Sequence, residues 1–195
     1  SQIMDYLFAE NFGAGLTIAK VEVGGDAQQT DGTTASHKHS RLDTPNFNRS
    51  HIWWAMAEAK KRVPNVLFYG LAWGFPGYLG TFYSPELAKY LASWVKGAHD
   101  VHGFDVSALG LWNERQPCED GKGPHGNGTA GNCSLIFWLR DALDAQGLQQ
   151  TRIVGNDGKV TALEPLFETG APLGVVGTHG AGPLPATQQA LADAR

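Results

Sequence analysis

Asn113-Glu114 closes the apolar run Val106 to Trp112 (VSALGLW) and is the residue pair of this chain best suited to acid–base work on a glycosidic bond. A carboxylic acid at the end of a buried strand can hold a raised pKa and protonate a leaving oxygen. An asparagine beside it can hydrogen-bond a sugar 2-hydroxyl as the transition state becomes oxocarbenium-like. The dipeptide alone is also an ordinary turn with a solvated glutamate; its place after Trp112 on a buried strand favours the catalytic role. Other polar groups end other apolar runs. Asp26, Thr30 and Asp31 follow Leu16 to Val23, Trp73 closes Val66 to Trp73, Asp157 follows Arg152 to Val154, and His179 follows Gly174 to Gly177.

These runs read as strands buried on both faces, as in a parallel sheet. Helical patterns lie between them. Ile52 to Arg62 is amphipathic with a basic last turn; Pro85 to His99 starts behind Ser84 as N-cap; Ser134 to Gln146 ends at Gly147. Repeated βα units predict an α/β fold. Reactive groups after five successive strands favour the catalytic rim of a TIM barrel over an open sheet with one switch point. A complete (β/α)8 barrel takes roughly 250 residues, so the expectation is a partial barrel with about five of eight βα units. Residues 1–195 then form an internal segment of a catalytic domain, opening on a helix (Gln2 to Phe8), lacking the first and last strands, with 116–133 as an inserted loop.

The composition narrows the partners. A net charge of −4 without a basic run argues against nucleic acid. No stretch reaches the ~18 to 20 apolar residues of a membrane span, and Ser1 to Asp5 shows no targeting pattern. Six tryptophans suit either a packed core or a sugar cleft. Cys118 and Cys133 share a Gly/Asn/Pro-rich stretch, where a disulfide could close the loop. With the acceptor patterns at Asn48, Asn127 and Asn132, they lean toward a lysosomal or secreted setting. No Cys or His spacing suits zinc. His37 and His39 lack a supporting carboxylate motif and read as loop-packing or solvated, while Asp26 and Asp157 read as carboxylates that position loops or arginines.

VEVGGDAQQTDGTTASHKH (21–39), WWAMAEAKKRVPN (53–65), GLAWGFPGYLG (70–80) and GLWNER (110–115) occur in one order. Together they resemble the galactocerebrosidase family, lysosomal glycoside hydrolases with a TIM-barrel catalytic domain. The resemblance implies a retaining β-galactosidase that hydrolyses galactosylceramide to galactose and ceramide without cofactor or metal. It places the acid/base on Glu114 and sugar contacts on Asn113, Thr30 and Trp73. From the residues alone, Trp73 also suits core packing and Thr30 a turn. Asp31 and His179 are expected at the cleft. A membrane or micelle surface and a saposin-type lipid-presenting protein are the implied partners.

Retention needs a second carboxylate about 5 to 5.5 Å from the first. In the family it follows the next strand after the histidine-bearing one. Glu164 and Glu168 fall in helix-like sequence, so the nucleophile is expected outside this chain and the segment alone inactive. Two other readings stay open: an inactive carbohydrate-binding remnant of the same fold, and a related TIM-barrel glycosidase with another sugar specificity.

Overall fold

A computed structural model describes residues 1–27, 34–114, 134–158 and 170–179. Helix α1 (Gln2–Phe8) precedes strand β1 (Ile18–Val23), then come α2 (His51–Arg62), β2 (Leu67–Ala72), a 3-10 turn at Gly77–Leu79, α3 (Pro85–His102), β3 (Val106–Gly110), α4 (Ser134–Asp144), β4 (Arg152–Gly158) and β5 (Val175–Thr178). The caps explain several boundaries. The Ser50 hydroxyl accepts from the Ile52 amide at 3.1 Å, and the Ser84 hydroxyl from the Leu87 amide at 3.1 Å with Pro85 at the helix start. Helix α3 runs a turn past the expected end at His99. Nothing stops it before Gly103, whose left-handed φ of 67° lets its amide close on the His99 carbonyl at 3.0 Å.

All five strands are parallel and lie in the order β1-β2-β3-β4-β5. Each new strand joins the same edge, with no reversal, which is the winding of a barrel and not of a doubly wound sheet. The predicted partial barrel is therefore the observed fold: a half-barrel with helices outside. Its curvature is visible in one contact. Neighbouring strands are spaced by about 4.8 Å, so β1 and β4 stand roughly 14 Å apart along the sheet, beyond the reach of parallel side chains. Lys20 of β1 nevertheless meets Asp157 of β4 at 2.7 Å. Only a concave face whose side chains converge allows that.

The two faces of the sheet differ. Gly70 faces the helices, where an added Cβ would lie 2.9 Å from the Trp94 ring of α3. Gly110 faces the concave side, where a Cβ would lie 2.6 Å from the Tyr69 hydroxyl. Between sheet and helices sit Val21, Phe68, Leu87, Leu91, Trp94, Leu109, Leu139 and Ile153, all buried.

One strand departs from the expectation. Gly155-Asn156-Asp157, predicted as the turn after Arg152 to Val154, stays in β4. Gly155 pairs with Val176 and Gly158 with Thr178, so β4 carries one extra residue there. That is a bulge, a feature that re-aims side chains beside active sites.

Candidate active site

The site lies where β1, β3, β4 and β5 bring their ends together. Glu114 follows β3 by four residues with φ of 54°, and Asp157 sits in the β4 bulge with φ of 30°. For residues other than glycine these are uncommon, strained conformations that persist where the surroundings enforce them. The enforcement is partly mutual, since the Glu114 amide donates to the Asp157 carbonyl at 3.0 Å. Asn113 is anchored by its own amide, which donates to the Ala72 carbonyl of β2 at 2.9 Å.

Side chains complete the arrangement. His179, immediately after β5, places Nδ1 2.7 Å from Glu114 Oε1 and Nε2 3.2 Å from Asp157 Oδ1. Asp157 is buried at 5% exposure, and its Oδ2 accepts from Lys20 Nζ at 2.7 Å. That ammonium lies 5.5 Å from the Tyr69 ring centre and 5.2 Å from that of Trp73, within cation–π range. Burial, and then the Asp157 charge, push the Tyr69 hydroxyl's ionisation well up. The outcome is a continuous line of ionisable groups with Glu114 at its solvent end, where its side chain is 64% exposed. A carboxyl there can meet a ligand while one oxygen stays tied to His179.

Of the residues singled out by sequence, Asn113, Glu114, Trp73 and His179 come together at the strand ends. Thr30 and Asp31 lie outside the described residues, as do Cys118, Cys133, Asn127, Asn132, Glu164, Glu168 and the 116–133 loop. The neck that carries Thr30 and Asp31 is described. The Asp26 amide donates to the Thr34 carbonyl at 3.2 Å, and Glu22 of β1 accepts from both the amide and the hydroxyl of Thr34.

Asp26 positions a loop, as read from sequence. Its carboxylate accepts from the Ser36 amide at 2.8 Å and from the Ser36 hydroxyl, pairs with His39 at 3.0 Å, and faces Arg49 at 3.7 Å. Burial pushes its pKa up, but the Ser36 bonds and His39 outweigh that and leave it lowered. His37 is buried between the Tyr90 ring at 4.2 Å and the Phe47 ring at 5.0 Å, and this burial depresses its pKa to about 3. His39 is exposed on Asp26, so the two histidines do different work and do not converge. Among the described residues no group of three or more His, Cys, Asp or Glu side chains is arranged to hold a metal ion. A hollow of about 330 Å³ between residues 37–45 and α3, lined by His37, Arg41, Tyr78 and Lys89 among others, includes none of the strand-end residues.

Lys20, Tyr69 and the central place of Asp157 are what the sequence reading missed. A signal was present: Lys20 and Glu22 stand two apart in an otherwise β-branched and alanine strand (IAKVEV), so both charges share one face. Two charges on one face of a strand in a buried sheet mark a polar interior.

Comparison with known proteins bears on family and fold. The profile of glycosyl hydrolase family 59 matches residues 1–190. Galactocerebrosidase of Danio rerio is 46% identical over 164 residues, 81% of this chain and 23% of that protein. The Homo sapiens protein of the same name is 45% identical over 163 residues, 80% of this chain and 22% of its own. The Macaca mulatta protein is 41% identical over 189 residues, 92% of this chain and 25% of its own. The chain thus spans about a quarter of the length of these relatives. Among solved structures, an endo-β1,6-glucanase superposes with a TM-score of 0.63 at 15% identity, covering 93% of this chain and 46% of that one. The catalytic domain of the GH30 xylanase C from Talaromyces cellulolyticus does so with 0.61 at 19%, covering 91% and 47%. At such identities the structures speak to fold alone. The match of the family profile across nearly the whole chain places this chain in glycosyl hydrolase family 59.

Proposed function

We propose that the chain carries the acid/base half of a retaining β-galactosidase site that hydrolyses galactosylceramide to galactose and ceramide. The observation that supports this most directly is the carboxyl of Glu114, presented at a strand end beside Asn113 and tied through one oxygen to His179. In the first step Glu114 gives its proton to the glycosidic oxygen as the C–O bond breaks, and a second carboxylate captures the sugar carbon. In the second step Glu114, now a carboxylate, takes a proton from the water that displaces that carboxylate. Asn113 holds the 2-hydroxyl, Trp73 offers a ring face to the sugar, Thr30 is a further sugar contact, and Asp31 is a cleft residue.

The nucleophile is proposed to lie outside these 195 residues, about 5 to 5.5 Å from Glu114 as retention requires, and the domain to be an internal segment of the barrel with 116–133 inserted. Among carboxylates in the described site, Asp157 is already committed to Lys20 and His179. A lipid with two tails calls for a membrane or micelle surface and a lipid-presenting partner of the saposin type, in a lysosomal or secreted setting. Among the described residues no helix is long and apolar enough to cross a membrane.

The test is Glu114→Gln in the intact protein, assayed on galactosylceramide and on an activated aryl β-galactoside. Turnover of the lipid should collapse, while the aryl substrate, whose departure needs little protonation, keeps a fast first step. Equal, undiminished turnover of both substrates would remove Glu114 from the mechanism. Sugar binding with no turnover in the unaltered protein would favour the binding-remnant reading.

A further inference from the structure

Three groups stand behind Glu114, and none of them is assigned a part in the chemistry above. Lys20 Nζ donates to Asp157 Oδ2 at 2.7 Å, Asp157 Oδ1 lies 3.2 Å from His179 Nε2, and His179 Nδ1 lies 2.7 Å from Glu114 Oε1. We propose that Lys20 and Asp157 are positioning residues that act through His179 to keep the exchangeable proton on Glu114. The proposal rests on Glu114 being the acid/base.

An ionised carboxylate only accepts, so the ring nitrogen facing Asp157 carries hydrogen. Nε2–H is therefore fixed, and Nδ1 is the ring atom left to face Glu114. With Nδ1 bare, it accepts from a protonated Glu114. With Nδ1 protonated, the imidazolium donates to an ionised Glu114. One proton is shared between the two, and the first arrangement is the one that suits a general acid.

Lys20 decides between them. Asp157 is buried at 5% exposure, and a buried anion without its cation draws a compensating proton onto the neighbouring imidazole. The ammonium of Lys20 supplies that compensation from the other side, so His179 stays neutral and Glu114 keeps the proton. During turnover the proton leaves Glu114 for the glycosidic oxygen and is replaced from water, while Nε2–H stays in place throughout, so the line consumes no proton. The ionisable groups facing this line are Lys20 and Glu22 of β1, Tyr69 of β2, Glu114 after β3, Asp157 of β4 and His179 after β5. Glu22 is occupied by Thr34, and the buried Tyr69 hydroxyl stands close to Asp157, whose charge disfavours its ionisation.

The test is the pH profile of kcat/KM on an aryl β-galactoside for the intact protein and its Lys20→Met and Lys20→Arg variants, with thermal melting as the check on folding. Losing the cation should lower the plateau of this profile and move its basic limb to higher pH, because the shared proton then rests on His179 and is held more tightly beside the uncompensated Asp157. Lys20→Arg should return the limb toward the parent's. A folded Lys20→Met variant whose limb does not move overturns the inference, whereas undiminished activity of Glu114→Gln would overturn the acid/base reading itself. Should Lys20→Met not fold, long-range 1H–15N spectra of the unaltered protein decide. Hydrogen on Nε2 of His179 across the pH range, with only Nδ1 titrating, supports the proposal; an Nδ1–H neutral tautomer overturns it.

Discussion

The Glu114 amide donates to the Asp157 carbonyl at 3.0 Å, and the carboxylates of the same two residues flank the ring nitrogens of His179 at 2.7 and 3.2 Å. Both residues have positive φ, 54° and 30°. Main chain and side chains therefore hold the proposed acid in a conformation that its own backbone disfavours.

Relief of that strain should be measurable. A non-glycine residue in the left-handed region costs about 1 to 2 kcal/mol. Glu114→Gly should therefore leave stability equal or raise it by about 1 kcal/mol in denaturant unfolding while abolishing lipid hydrolysis. A clear loss of stability would mean that the His179 contact outweighs the backbone strain.

Stability should fall with acid through His37. Its folded pKa is depressed to about 3 by burial, against 6.5 when unfolded. Above pH 6.5 neither state takes the proton and stability is full. As pH falls from 6.5 toward 3 the unfolded chain binds a proton that the folded one refuses, and stability drops by up to about 1.4 kcal/mol per pH unit. His37→Phe keeps the ring between Tyr90 and Phe47 and should flatten this slope in melts taken from pH 7 to pH 4.

Gly97 should resist replacement despite lying inside α3. A Cβ there would sit 2.1 Å from Cδ1 of Phe47, which in turn packs on His37 and offers its carbonyl to His102 Nε2 at 2.7 Å. Alanine is the better helix former, yet Gly97→Ala should cost about 1 to 3 kcal/mol. Unchanged or raised stability would show that the segment carrying Phe47 yields freely.

Trp73 should serve substrate more than stability. Its ring follows β2, half-buried and 5.2 Å from Lys20 Nζ. Trp73→Ala should lower kcat/KM about tenfold or more, equivalent to about 1.4 kcal/mol, with Tm changed by only a few degrees. A large fall in Tm at constant kcat/KM would return Trp73 to the core-packing role.

Much of this was legible in the sequence, for local reasons. The strands follow from apolar runs, α2 from its amphipathic pattern and basic last turn, α3 from the Ser84 cap and Pro85, and the Asn113–Glu114 and His179 positions from what ends each run. Asp157 was legible only as a turn carboxylate, because the bulge that keeps it in the sheet depends on how β4 pairs with β5. Lys20 was legible only as a charge on a strand, since its partner lies 137 residues away and is reached only by curving the sheet. Spacing along the chain carries periodicity; it does not carry curvature.

The Lys20–Asp157 pair also has a bearing on assembly. Closing a contact across 137 residues requires β1, β2, β3 and β4 to be in place first, so the pair belongs among the last contacts to form and the first to open. Its loss should accelerate unfolding while leaving the refolding rate almost untouched. The line from Lys20 to Glu114 is then complete only once the sheet has finished bending, and a kinetically trapped, incompletely curved conformer would lack it even with Glu114 present.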